Sequence, residues 1–223
     1  AASDVYKRQP DVYSMNSMTE ILQWCERTGK SYWEYVKECE DSDIWDYLQE
    51  VWKTMQNAVK RGLEQEGVLP GPLNLRRKAS TYYIRASGYK QSLQSRGLVF
   101  AYALAVSEEN ASGGVIVTAP TCGSCGVMPA ELYHLAKSRE FSDTRILRAL
   151  ATAGLVGNIV KTNASISGAE VGCQGEVGVA CAMASAAANQ LFGGSPAQIE
   201  YAAEMGLEHH LGTVSYTHLT LPT

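Results

Sequence analysis

From Asp43 onward the apolar residues Ile44, Leu48, Val51, Trp52, Met55, Val59 and Leu63 recur at intervals of three and four. That spacing gathers side chains into one stripe along an α-helix, and such a stripe needs a partner surface. The rest of the chain supplies the same periodicity. Shorter helical patterns occupy Met18 to Arg27 and Tyr32 to Glu40, and Gly67 with Pro70 and Pro72 stops the long one. A further pattern, broken near Gly88 and Gly97, runs from about Arg77 to Ser107. Pro129 suits the first turn of a helix at Ala130 to Ser138, and another helix follows from Asp143 to Val160. Ser195 and Pro196 read as the N-cap and first-turn proline of a last helix towards His210. The β-branched run Val115 to Thr118 is ended by Pro120, which leaves a short strand or an extended approach to a loop. These patterns predict a mostly α fold, a single helical domain with glycine-rich active-site loops and at most short strands.

At 223 residues and 45% hydrophobic the chain is long enough for a substantial core. The opening AASDVYKRQ and the closing VSYTHLTLPT do not read like the rest and resemble translated adapter sequence. The native segment is therefore expected to span residues 10–212, with 1–9 and 213–223 foreign to it, and His218 then carries no functional meaning. A net charge of −4 without a basic block gives no reason to expect nucleic acid as a partner. The longest apolar stretches, GLVFAYALAV from Gly97 and ATAGLVGNIV from Ala151, fall short of the roughly 18 residues needed to span a bilayer, so no membrane is expected either. Six scattered cysteines do not form the framework of a small secreted domain, which favours a reducing, cytoplasmic setting.

Two glycine-rich stretches stand out. In NASISGAEVGCQGEVGVACAMASAA, Asn163 to Ala187, the small residues Ala164, Gly168, Gly172, Gly175, Gly178 and Cys181 recur every three to four positions. Glycine costs a helix up to about 1 kcal/mol per residue relative to alanine, so something must approach this backbone closely. Beyond Cys181, tight packing of a buried helix is a sufficient reason. Near the start, Asn163, Ser165, Ser167, Glu170, Gln174 and Glu176 crowd polar groups onto a helix entrance, whose N–H groups attract carboxylates. The second stretch, Ala111 to Leu132, has the same character: Thr118, Thr121, Ser124 and backbone amides lead into a helix. Cys122 and Cys125 form a CxxC, which invites a zinc or thioredoxin-type reading, but no second CxxC and no βαβ context accompany it.

Five signatures, EGVLPGPL (Glu66 to Leu73), EENASGG (Glu108 to Gly114), TAPTCGSCG (Thr118 to Gly126), NASISGAEVGCQGEVGVAC (Asn163 to Cys181) and AAEMGLEHHLG (Ala202 to Gly212), occur in this order. With them the chain resembles the α (catalytic) region of the iron–sulfur-dependent bacterial L-serine dehydratases, or L-serine ammonia-lyases, over nearly all of residues 10–212. The resemblance implies deamination of L-serine to pyruvate and ammonia at a [4Fe–4S] cluster held by three cysteines, with one iron open to substrate. Cys173 corresponds to the first of those ligands. The other two lie beyond the family's EHxLG motif, in a segment that VSYTHLTLPT replaces here, so the chain as given is expected not to hold an intact site. Cys122 departs from the Asn or Ala common at that position, and neither Cys122 nor Cys125 matches a cluster ligand.

The resemblance further points to Thr118, Thr121, Cys122, Gly123, Ser167 and Gly168 for the carboxylate and amino group of substrate, with Asn163 as a supporting donor. Lys161 and His209 are candidates for proton transfer. Each has a plainer role open to it, the lysine as a helix-dipole partner and the histidine as a structural residue in a last turn. The implied partners are L-serine, a serine dehydratase β domain or subunit, and further copies in a homo-oligomer. A pyridoxal-phosphate deaminase using Lys161, and a helical interaction domain without activity, are the competing readings.

Overall fold

The computed structural model describes residues 12–210. The two foreign-looking ends, together with Pro10, Gly212 and His218, lie outside the described residues. Among those described the order is α1 (Met18–Thr28), α2 (Tyr32–Cys39), α3 (Ile44–Glu64), α4 (Ala79–Ser87), α5 (Gln91–Ala111), a 3₁₀ turn (Cys122–Ser124), α6 (Val127–Arg139), α7 (Asp143–Asn163), α8 (Gly168–Leu191) and α9 (Pro196–Glu208). They contain no strand, only an isolated antiparallel bridge between Val68 and Arg76. The mostly α expectation is borne out, and Val115 to Thr118 take the extended-approach alternative. No described helix is long and apolar enough to cross a membrane.

Local chemistry explains the ends of α1 and the start of α9. The Ser17 hydroxyl accepts from the Glu20 N–H at 3.2 Å, and α1 stops at Gly29, whose φ of 71° is costly for other residues. Ser195 caps α9 as expected: its hydroxyl accepts from the Gln198 N–H while the Gln198 side chain takes the Ser195 N–H, with Pro196 in the first turn. The pattern from Arg77 breaks at Gly88 but runs unbroken through Gly97. Gly97 answers to packing: a methyl there would stand 2.8 Å from the Ala86 Cβ, so the glycine lets α4 lie against α5.

The stripe on α3 buries Leu48, Trp52, Met55 and Val59, and the helix packs against α5 and α7. The Trp52 indole N–H donates to Asp143 at 3.1 Å, tying α3 to the first turn of α7. The Ala-rich half of α8, with Val179, Ala180, Ala182, Ala186 and Ala187 buried, runs between α6, α7 and α9. Gly206 of α9 faces the Cys181 carbonyl, and Gly178 faces Leu207, so small residues on both helices let them approach closely. Here the packing reason for small residues holds.

Gly62 sets the tightest crossing. A Cβ at this position would fall 2.2 Å from the Ala105 carbonyl oxygen of α5, a backbone atom that cannot swing aside. Gly62→Ala is expected to destabilise the fold by about 1–3 kcal/mol, read as a lower denaturant midpoint with an unchanged slope.

Candidate functional site

The loop carrying Thr118 to Gly126 is held by the end of α5, where three consecutive side chains point three ways. Glu108 accepts the N–H groups of Lys78 and Ala79 at 2.5 and 3.2 Å, capping α4. Glu109, 2% exposed, pairs with the Arg61 Nε of α3 at 2.7 Å, and the Arg61 guanidinium also donates to the Val115 carbonyl. Asn110 donates its side-chain amide to the Cys122 carbonyl at 3.0 Å. Gly113 turns the chain with a φ of 73°, and Gly114 lies so close to Glu109 that a Cβ would sit 2.6 Å from its carboxylate. The EENASGG signature is thus a latch: it fixes where residues 115–124 run, including the cis Ala119–Pro120 peptide and the 3₁₀ turn at Cys122.

The second loop joins α7 to α8. Asn163 is the last residue of α7, and the Ser167 N–H donates to the Ser165 hydroxyl at 3.1 Å before α8 begins at Gly168. Helix α8 is interrupted at Gly172, where φ is 70° and ψ 178°. That conformation favours glycine, and it splits off residues 168–171 as a single turn. The turn folds back so that Val171 packs on Gly175, where a Cβ would be 2.1 Å from a Val171 methyl. Amide N–H groups at Gly168 and Ala169 open the helix and have no acceptor within it. Cys173, the first residue after the break, is exposed.

The two loops meet at Glu176, in the second turn after the break. The Thr121 hydroxyl donates a short hydrogen bond to Glu176 Oε1. A Cβ on Gly123 would lie 2.6 Å from Glu176 Oε2, and one on Gly168 would lie 3.0 Å from the same oxygen. Glu176 thus has one loop's hydroxyl and glycine on one side and the other loop's glycine on the other. Cys173 and Glu176 are three residues apart on one helix, which brings them onto neighbouring positions of a single face.

Away from this junction the same two loops line a cleft of about 690 Å³, to which Thr118, Pro120, Asn158, Lys161 and Ile166 all contribute. Its far wall includes Tyr13, whose hydroxyl donates to Glu40 at 2.6 Å. Burial, with Glu40 beside it, pushes the Tyr13 phenol well above its ordinary pKa.

The structure therefore brings together Thr121, Gly123, Gly168 and, beside them along the chain, Cys122 and Ser167, and it places Thr118 with Lys161 in the adjoining cleft. Two candidates sit differently. Asn163 donates its amide to the Asn16 carbonyl. His209 is exposed at the C-cap of α9, with its ring 6.0 Å from that of His210. Glu176, the residue on which both loops converge, was only one of several polar residues in the sequence pattern; the signal that marks it is its position three residues after Cys173 between two glycines.

No group of three or more His, Cys, Asp or Glu side chains placed to hold a metal occurs among the described residues. Cys173 is a candidate donor by its exposure. Cys125 and Cys181 are not comparable: burial pushes both thiols up to about 11, with Glu131 adding to the effect at Cys181, whose sulfur lies 3.6 Å from His210 Nε2.

Residues 11–214 match the family described as serine dehydratase alpha chain. The chain belongs to that family. It is 47% identical over 210 residues to L-serine dehydratase 1 of Escherichia coli, 44% over 208 residues to L-serine dehydratase of Streptomyces coelicolor, and 43% over 211 residues to L-serine dehydratase of Haemophilus influenzae. Each alignment covers 90% of this chain and 46% of the relative, so the chain spans about half the length of the curated proteins it matches.

The accessibility of the thiols is directly checkable. In metal-free protein near neutral pH, an alkylating reagent followed by mass spectrometry should label Cys122 and Cys173 first. Cys25, Cys125 and Cys181, each held near 11 by burial, should label only on unfolding.

Proposed function

We propose that this serine dehydratase alpha chain forms the catalytic part of an L-serine ammonia-lyase that converts L-serine to pyruvate and ammonia with a [4Fe–4S] cluster. The observation that carries the reading is the convergence of two glycine-rich loops on one carboxylate, with the exposed thiol of Cys173 on the same helix face. The names of the relatives support the substrate and the reaction class. The native segment is residues 10–212, the setting is cytoplasmic, and the partners are a β domain or subunit and further copies of the chain.

The reaction removes the α-proton and the β-hydroxyl of serine, leaving aminoacrylate, which tautomerises to an imine and hydrolyses to pyruvate and ammonia. When bound, the cluster supplies a Lewis acid for departure of the hydroxyl. Cys173 would serve as one donor, since its thiol is exposed and in no disulfide, and the resemblance puts the other two beyond the EHxLG motif. The residues of this chain supply position. Open N–H groups at Gly168 and Ala169, beside the Ser167 hydroxyl, suit the substrate carboxylate. Thr121 and Gly123, with Cys122 between them, would face substrate from the first loop, Thr118 would do so from the adjoining cleft, and Asn163 secures the end of α7 from which the second loop departs. Lys161, lining the cleft with Thr118, is the candidate for proton transfer on this side, and His209 is the alternative.

The test uses the full-length enzyme. Cys173→Ser should lose bound iron, the visible absorbance of the cluster and pyruvate release, because a hydroxyl is a poor replacement for thiolate on iron. Cys125→Ala and Cys181→Ala should keep all three, with a packing cost of about 1 kcal/mol. Full iron and activity in Cys173→Ser, with loss of both in Cys125→Ala, would move the metal site to the CxxC. A wild-type spectrum of an internal aldimine in place of a cluster would replace the cofactor altogether.

A further inference from the structure

Glu176 raises a question that the convergence of the loops does not answer. A carboxylate carries a full negative charge and about four lone-pair directions, yet its hydrogen-bond partner among the described residues is a single hydroxyl, that of Thr121. The ion pairs among the described residues are Lys30–Glu38 and Arg61–Glu109, so no lysine or arginine of that set neutralises it. Gly123 and Gly168 bring backbone close to Glu176 from both loops without adding a side chain between them and the carboxylate. A half-buried anion at the meeting point of two loops, kept clear by glycine and without a lysine or arginine ion pair among the described residues, is matched to a cationic ligand.

The hydrogen bond from Thr121 narrows the chemistry. A threonine hydroxyl has one proton to donate and two lone pairs. Its proton is committed to Glu176, so what Thr121 can offer a ligand is acceptor capacity. Acceptor lone pairs repel a carboxylate and complement an N–H donor. The Thr121 side of the junction is therefore built for a cationic nitrogen. A zwitterionic α-amino acid carries such a nitrogen.

We propose that Glu176, with Thr121 beside it, receives the α-ammonium group of the substrate and restricts the site to α-amino acids over the corresponding acids that lack the nitrogen. The assignment rests on reading the junction as the amino-acid site. It assigns Thr121 to the ammonium rather than to the carboxylate.

The test compares two ligands in the full-length holoenzyme: L-serine, through KM and kcat, and 3-hydroxypropionate, which is L-serine without its amino group, through its inhibition constant. Glu176→Gln removes the charge and keeps the shape. It should raise KM for L-serine on the order of tenfold to a hundredfold, the range of a lost charge-assisted hydrogen bond. The inhibition constant of 3-hydroxypropionate should stay within about threefold, the scatter expected of a contact energy. Iron content should be unchanged. Parallel weakening of both ligands would make Glu176 a clamp between the loops and overturn the proposal, as would no change in either. Should Glu176→Gln fail to fold, as judged by circular dichroism, Thr121→Val is compared in the same way, with the same selective loss expected and parallel loss contradicting it. If the wild type releases no pyruvate from L-serine, the reaction assigned above fails by itself. The ammonium assignment is then decided by calorimetry with the same two ligands, which no turnover would disturb.

Discussion

The candidate site depends on one carboxylate. Glu176 stands where the extended loop before α6 and the broken entrance of α8 come within a side chain's width of each other, and the geometry works because both loops present glycine to it. A Cβ at Gly123 would overlap Glu176 Oε2, and one at Gly168 would press on the carboxyl group. The hydroxyl of Thr121 supplies the attractive part of the contact. Glycine in these segments thus has a specific cause at each position: room for Glu176 at 123 and 168, a positive φ at 172, and room for the folded-back Val171 at 175.

That junction is held in place by the end of α5. Glu108, Glu109 and Asn110 are consecutive, and each ties a different element: the start of α4, Arg61 on α3, and the Cys122 carbonyl of the site loop. Burying two glutamates is expensive unless each is paired or hydrogen-bonded, and here one caps a helix while the other meets a guanidinium. The consequence is that the position of Thr121 is determined by the packing of α3, α4 and α5, well outside the site itself. Rigid helices supporting short loops is the arrangement that positions binding groups most reproducibly.

Much of the fold was legible in the sequence because helix formation here follows local rules. The stripe from Ile44 to Leu63, the cap at Ser195 with Pro196, and the stop at Gly67 all act within a few residues of themselves, and α3 and α9 appear where those signals put them. Gly97 shows the limit. Glycine was expected to break the helix there, but its reason is contact with Ala86, eleven positions earlier, and only tertiary packing reveals it. Glycine and hydroxyl content marks the two loops as a candidate site, and the resemblance marks Cys173. Glu176 was not singled out, because a glutamate in a polar helix turn looks solvated until the partner loop, fifty-five residues away in sequence, is laid against it. The sequence pattern groups Asn163 with the α8 entrance, whereas its amide closes on Asn16 near the start of the described residues.

The central claim is that Thr121 and Glu176 are energetically coupled across the two loops. A double-mutant cycle on the unfolding free energy of this chain, with Thr121→Val, Glu176→Gln and the pair, measures that coupling directly. The account predicts an interaction energy of about 1 kcal/mol or more between the two positions. Additive effects, with the double variant losing the sum of the two single losses within about 0.3 kcal/mol, would mean that the loops do not meet at this carboxylate and would contradict the account.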